Sequence, residues 1–311
     1  MFATFVSTLL SSLLTICITC LSAFAVTLIF KTSTTTNFAQ GSIAALGCYV
    51  TADLFKKLGL PVWLGVFPGI LVGVLSGLFV DVVIFRRGRS VNPVGKQIIT
   101  MGLVSIIFGG IPLIFGNPES IPFEPFYNAV AAGKKPNLFV PFAGGELVIT
   151  KHSLICLGIT LLVLGTLFAL LKFSKWGLAV RTTASSESTA ELMGINTHAV
   201  TAVSWAIAGG LGVLAAVMYA GGGAKIGVSF MTTIQVNAFL AGILGGFSTF
   251  HGPLVGAVVI QLASTCVGFL ATVPGFSGIT RWNMVIVYAL MLIVILIKPQ
   301  GLLGKPLVKK V

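Results

Sequence analysis

The side chains in this sequence with the most chemical potential are uncharged hydrogen-bonding groups set inside apolar runs: Asn37, Gln40, Gln235 and Asn237, with Gly41 beside the first pair. Neutral amides in short or broken helices can line a cavity and contact a small zwitterion without trapping it, so they are candidates for a translocation path. The same groups also serve as interhelical hydrogen-bond partners in any membrane bundle, and the sequence leaves both uses open.

A second group lies in the charged stretch 172–198, where Arg181, Glu187, Glu191, Gly194 and Asn196 surround Ala190 and the apolar pair Leu192 and Met193. This pattern suits a short interfacial helix with Leu192 and Met193 as apolar plugs for a cytoplasmic partner. A solvated connector whose acids balance Lys175 and Arg181 is the alternative.

Bond-making chemistry finds no support. There is no H-E-x-x-H or G-x-S-x-G, and His152, His198 and His251 have no second histidine or carboxylate at ligand spacing. The five cysteines (Cys17, Cys20, Cys48, Cys156 and Cys266) are odd in number, lack zinc spacing and sit in or beside apolar runs, so they read as packing residues and no metal is expected. Gly95-Lys, Gly133-Lys and Gly304-Lys are followed by Gln, Lys and Pro, so no phosphate-binding loop occurs. Gly210-Leu-Gly212-Val-Leu-Ala215 fits a dinucleotide fingerprint formally, yet lies within an apolar helical run and not after a strand.

The elements that must position these residues are membrane helices. The chain of 311 residues is 56% hydrophobic and 8% charged, against about 25% charged in soluble domains. Uncharged windows near 8–30, 38–55, 62–85, 97–115, 152–171, 199–220, 231–248, 253–272 and 282–297 give about nine spans, with eight or ten also compatible. The second and seventh are short and polar and could be broken or re-entrant. The fold class expected is an all-α polytopic bundle forming a single transmembrane domain over 1–311, with an external loop at 116–150 and a cytoplasmic loop at 172–198. No cleavable leader is expected, because the N-terminus lacks a basic region and its apolar run is long.

The net charge of +12 is distributed in short loops between apolar segments, not as a phosphate-binding stripe, so nucleic acid is not an expected partner and the lipid bilayer is. Arg86, Arg87, Arg89 and Lys96, then Lys172, Lys175 and Arg181, then Lys298, Lys305, Lys309 and Lys310 mark the cytoplasmic side. Nine spans then put the N-terminus outside, together with Lys56 and Lys57. Of the seven acids none falls at mid-span: Asp53 and Asp81 lie near span ends, Glu119, Glu124 and Glu146 in the outer loop, Glu187 and Glu191 in the inner one. An ion-coupled transporter commonly keeps a carboxylate there. Gly65, Gly69, Gly73 and Gly77 form a ridge at four-residue spacing for close helix packing, and Gly242 with Gly246 and Gly252 with Gly256 repeat the device.

Several segments, in order, resemble the permeases of branched-chain amino acid ABC importers: Asn37-Phe-Ala-Gln-Gly41; Asp81 followed by Arg86 and Arg89; Gly177-Leu-Ala-Val-Arg181 with Leu192-Met-Gly-Ile-Asn196; Gly245-Gly-Phe-Ser-Thr-Phe-His-Gly252; and Lys298-Pro-Gln-Gly-Leu-Leu-Gly304. Ser248 and Thr249 depart from the family's usual Gly-Ser, and 182–189 is richer in Ser and Thr than its coupling loops. The resemblance implies a multi-pass subunit of the bacterial cytoplasmic membrane that pairs with a second homologous permease, two cytoplasmic ATPases and an external solute-binding protein. It also implies no cofactor in this chain, ATP being used by the partner subunits, and it makes 187–196 the ATPase-coupling element. An autonomous secondary transporter or channel for a small polar solute is the alternative function.

Overall fold

The computed structural model describes residues 2–87, 91–116, 123–127, 136–142, 145–273 and 275–304. Arg89, Glu119, Lys305, Lys309 and Lys310 lie outside the described residues, as does much of the 116–150 loop. Helices dominate: α1 (Phe2–Ser11), α2 (Leu13–Ser33), α3 (Gln40–Leu58), α4 (Val62–Phe79) continuing into a π-helical segment (Val80–Phe85), and α5 (Pro93–Phe115). A hairpin of β1 (Asn137–Phe142) and β2 (Gly145–Thr150) precedes α6 (Lys151–Phe173), α7 (Lys175–Ser185), α8 (Glu187–Leu192), α9 (Thr197–Gly221), α10 (Thr232–Gly245) and α11 (Gly252–Leu270). A 3-10 turn (Ser277–Trp282) leads to α12 (Asn283–Ile297).

Among the described residues, 7 helical stretches are long and apolar enough to cross a bilayer: Ala3–Ser33, Val62–Phe85, Pro93–Phe115, Lys151–Phe173, Thr197–Gly221, Gly252–Leu270 and Gly278–Ile297. These match seven of the nine windows. The remaining two are α3, which is too polar for that criterion, and α10, whose 14 residues rise only about 21 Å against the roughly 30 Å of hydrocarbon. They are the two spans whose composition marks them as short or broken.

Helices α9 and α2 form the centre. Trp205, Val213, Ala215, Ala216, Val217 and Met218 of α9 are fully buried, as are Ile18, Leu21, Phe24 and Leu28 of α2. The outer helices keep Ile106 and Leu113 of α5, Leu161 and Leu162 of α6 and Leu296 and Ile297 of α12 exposed. Such a pattern needs lipid as solvent, and hydrogen bonding satisfied inside each helix.

The α4 glycines serve two neighbours. Gly65 and Gly69 face α3, where a Cβ on Gly69 would stand 2.7 Å from the Gly47 carbonyl. Gly73 and Gly77 face α9, where a Cβ on Gly73 would stand 2.6 Å from the Gly209 carbonyl and one on Gly77 would strike the Trp205 backbone. The α10–α11 crossing differs from the expected Gly242/Gly246 ridge. Gly242 makes room for the Phe247 ring, and Gly246 sits beyond the end of α10 at φ +92°, packed against Gln300 and Gly304. Close approach there is made by Gly245, Gly252 and Gly256, because the chain turns at 246 and the ridge cannot continue through it.

The basic loops gather at one end. Arg86 bonds to His198, and Arg86 and Lys96 share a cavity with Glu187 and Glu191. The tail returns to the same end, with Leu302 and Leu303 N–H groups donating to the carbonyls of Leu244 and Gly245. At the other end, Ser7 of α1 accepts from Val148 of the hairpin, and Trp63 at the start of α4 donates to Phe126. Lys56 and Lys57 lie at this second end, opposite the gathered basic loops, with Lys57 paired to Asp53 at 3.0 Å; the positive-inside rule makes it the expected outer end. A cysteine at Lys56 is expected to react with an impermeant maleimide on intact cells, and one at Lys175 only after permeabilisation. The opposite labelling pattern would overturn the topology.

Candidate translocation path and coupling loop

Helix α2 ends at Thr34, a left-handed cap at φ 51° whose N–H returns to the Phe30 carbonyl, and α3 begins only at Gln40. The gap leaves backbone groups that hydrocarbon cannot satisfy, and side chains from three elements supply them. Asn37 Oδ1 accepts from the Ala39 N–H at 2.9 Å and its Nδ2 donates to Gln40 Oε1 at 3.2 Å. Thr100 of α5 accepts from the Phe38 N–H at 3.2 Å. Gln235 of α10 accepts from the Gly41 N–H at 2.7 Å and donates through Nε2 to the Phe38 and Asn37 carbonyls.

Gln40 reaches across to donate to the Ala208 carbonyl of α9 at 2.7 Å. Gly212, one turn further along α9, must lack a side chain here, since a Cβ would stand 2.6 Å from Gln40 Nε2. Gly41 opens the same kind of room for Gln235. Asn37 is 1% and Gln40 3% exposed, while Gln235 is half-buried. The adjoining void between Ser22, Ala44, Met231 and Gln235 is about 10 Å³, space for one water at most.

Four of the five candidate path residues, Asn37, Gln40, Gly41 and Gln235, thus come together. Asn237 does not: its position two residues after Gln235 turns it towards α12, where it accepts from the Tyr288 hydroxyl at 2.9 Å. The α9 partners, the Ala208 carbonyl and the Gly212 gap, carry no signal in the sequence, because a backbone carbonyl and a missing side chain have no signature of their own. Replacing Gln235 by leucine strands the Gly41 N–H and the Phe38 carbonyl, a cost of about 1–3 kcal/mol for buried unpaired groups. Asn237→Leu removes one half-buried bond worth about 1 kcal/mol. The melting temperature of the detergent-purified protein is expected to fall markedly further for the first.

At the end where the basic loops gather, α6 turns sharply into α7, and Gly177 lies so near the Leu170 and Leu171 backbone that a Cβ would clash. Ser174 caps α7 by accepting from the Gly177 N–H at 2.9 Å, and Ser186 caps α8 through the Thr189 N–H at 3.3 Å. Two closely spaced serine caps therefore divide the Ser/Thr-rich loop into two helices. Ala190 is the buried anchor of α8. Gly194 at φ +79° ends it, and Asn196 caps α9 by accepting from the Ala199 N–H at 3.0 Å.

Glu191 accepts from Thr197 at 2.9 Å, which ties α8 to the start of α9. Leu192 and Met193 are left 89% and 71% exposed at the tip, while Arg181 and Glu187 are exposed on the same segment. No carboxylate among the described residues stands at mid-span. Asp53 is near the outer end of α3, Asp81 near the inner end of Val62–Phe85, Glu124 in the outer loop, and Glu187 and Glu191 on α8. Gly210 and Gly212 lie buried inside α9, so the dinucleotide-like pattern is helix packing.

Residues 8–295 match the sequence model of the branched-chain amino acid transport system / permease component family. The chain belongs to this family. Curated relatives include the probable branched-chain amino acid transport permease protein LivH of Methanocaldococcus jannaschii, 27% identical over 91% of this chain and 88% of the relative. The high-affinity permease proteins LivH of Escherichia coli, 25% identical over 88% and 87%, and BraD of Pseudomonas aeruginosa, 27% identical over 88% of each, are likewise similar. Among solved structures, PsaBC from Streptococcus pneumoniae in complex with Fab superposes with a TM-score of 0.53 at 16% identity, covering 96% and 97% of the two chains, a likeness of fold. The protein is a multi-pass membrane permease component of a branched-chain amino acid transport system.

Proposed function

We propose that this permease forms one half of the translocation path of an ATP-driven importer for branched-chain amino acids in the cytoplasmic membrane. Its partners in this reading are a second homologous permease, two cytoplasmic ATPase subunits and an external solute-binding protein. The observation that carries the proposal is α8: a short, doubly capped cytoplasmic helix that presents Leu192 and Met193 to solvent on a protein with no nucleotide-binding loop. Exposed side chains of this size at a helix tip fit a pocket on a partner, and a permease without its own ATPase must receive ATP-driven movement through such a contact. ATP is used by those partner chains and this chain holds no cofactor.

The solute reading rests on the named activity of the similar proteins and on the neutral amide set Asn37, Gln40 and Gln235. These groups can meet a zwitterion by hydrogen bonding once the cluster opens, whereas a buried charge would hold it too tightly. The test is affinity purification of the tagged protein from native membranes, followed by reconstitution and ATP-dependent uptake of labelled leucine, isoleucine and valine. Co-purification of a second permease and ATP-hydrolysing subunits, with uptake competed by all three amino acids, is expected. Uptake by this chain alone, without ATP, would replace the proposal with a secondary transporter or channel.

A further inference from the structure

The inner end of the molecule contains a polar cavity of about 410 Å³ walled by separate elements: Thr34 at the end of α2, Asp81 and Arg86 of the π-helical segment and the residue after it, Lys96 of α5, and Glu187 and Glu191 of α8. The acids of α8 thus face two cations on the membrane part. No ion pair among the described residues joins the two sides; the pairs present are Lys57 with Asp53 and Arg86 with Asp81.

Asp81 is 5% exposed, yet its Oδ2 accepts no hydrogen bond and stands 3.9 Å from Arg86 Nη2, beyond hydrogen-bond length. Arg86 Nε is also buried and unbonded, while Nη2 donates to the His198 carbonyl of α9 at 3.2 Å. Burial of Asp81 is offset in part by the Thr201 hydroxyl and by the charges of Arg86, His198 and Lys96, while the Arg86 side chain, 38% exposed, has room to change partners when neighbouring charges move. The backbone beneath provides the means: a π-helical turn carries one residue more per turn than the α-helix it continues, and returning it to α-helix re-aims Asp81 and Arg86. On the opposite wall Thr34, the non-glycine residue with positive φ among those described, holds a strained turn three residues before Asn37.

We propose that Asp81 and Arg86 are positioning residues for transport, the π-helical segment being the joint through which movement of α8 reaches the break between α2 and α3. In one state Arg86 and Lys96 take Glu187 and Glu191 as α8 closes on the cavity. In the other α8 withdraws and Arg86 completes its pair with Asp81. The inference rests on the reading of α8 as the ATPase-docking helix and adds the residues that carry its movement into the membrane.

The experiment is the number of ATP molecules hydrolysed per solute imported, measured on the reconstituted complex carrying Asp81→Asn, Arg86→Gln, or both. Each single variant is expected to co-purify with the ATPase subunits and hydrolyse ATP while that ratio rises at least about fivefold, the lower end of typical site-to-site coupling. The double variant is expected to be no worse than Arg86→Gln alone, since removing Arg86 already removes the pair with Asp81. Unchanged ratios, additive losses in the double variant, or loss of the ATPase subunits from the purified complex would each overturn the joint. Failure of the importer reading is separately visible as an unsubstituted complex that shows no ATP-dependent uptake.

Discussion

Replacing Gly73 by leucine is expected to leave no folded permease. The first carbon of that side chain would stand 2.6 Å from the Gly209 carbonyl of the central helix α9 and equally close to Val213, and backbone cannot be displaced as a flexible side chain can. Overpacking in cores costs about 1–3 kcal/mol when neighbours can repack. Here the obstacle is a helix backbone held on its other faces by α2 and α3, so the cost lies at or beyond the upper end. Fluorescence-detected size exclusion of a tagged protein is expected to show aggregate in place of the monodisperse peak. Gly102→Leu on α5, where a Cβ meets nothing within 4 Å, is expected to retain it. A monodisperse Gly73→Leu protein would show that α4 and α9 do not cross at these glycines.

The second large effect is expected at the tip of α8. Leu192→Asp together with Met193→Asp changes two exposed side chains that support nothing inside the subunit, so membrane insertion and thermal stability are expected to be unaltered. If both fill an ATPase pocket, their loss removes hot-spot contacts worth about 2 kcal/mol or more, a weakening of roughly thirtyfold or greater. The ATPase subunits are then expected to be absent from the purified complex and ATP-dependent uptake to vanish. Gly194→Val tests the same element from the backbone: φ +79° is costly for a β-branched residue, so α8 is expected to lose its stop and uptake to fall with it. Normal uptake in both proteins would remove α8 from the coupling role.

Much of this was legible in the sequence because the bilayer imposes a one-dimensional rule. Each crossing needs a long uncharged run, which is why seven windows coincide with long apolar helices and why α3 and α10 stand out as the weak pair. The α8 helix was legible for a different local reason, the pattern of Glu187, Ala190 and Glu191 followed by the apolar pair Leu192 and Met193 and by Gly194, whereas the Ser186 cap that starts it was not singled out. The Gly242/Gly246 ridge was misleading, since four-residue spacing marks a ridge only while the helix continues, and φ +92° at Gly246 ends it.

The amide cluster divides along the same line. Composition identified Asn37, Gln40, Gln235 and Asn237 as polar groups that hydrocarbon would not tolerate unpartnered, and so established by itself that they meet something. Only the tertiary structure decided what they meet. Gln40 finds a carbonyl 168 positions away on α9, Gln235 closes the gap before α3 from 194 positions away, and Asn237 turns to α12 instead. Local sequence determines where hydrogen-bonding groups are left over, because helix geometry is local. Which groups satisfy one another depends on how the helices cross, and that is decided by close packing at Gly73, Gly209 and Gly212 among residues far apart in the chain.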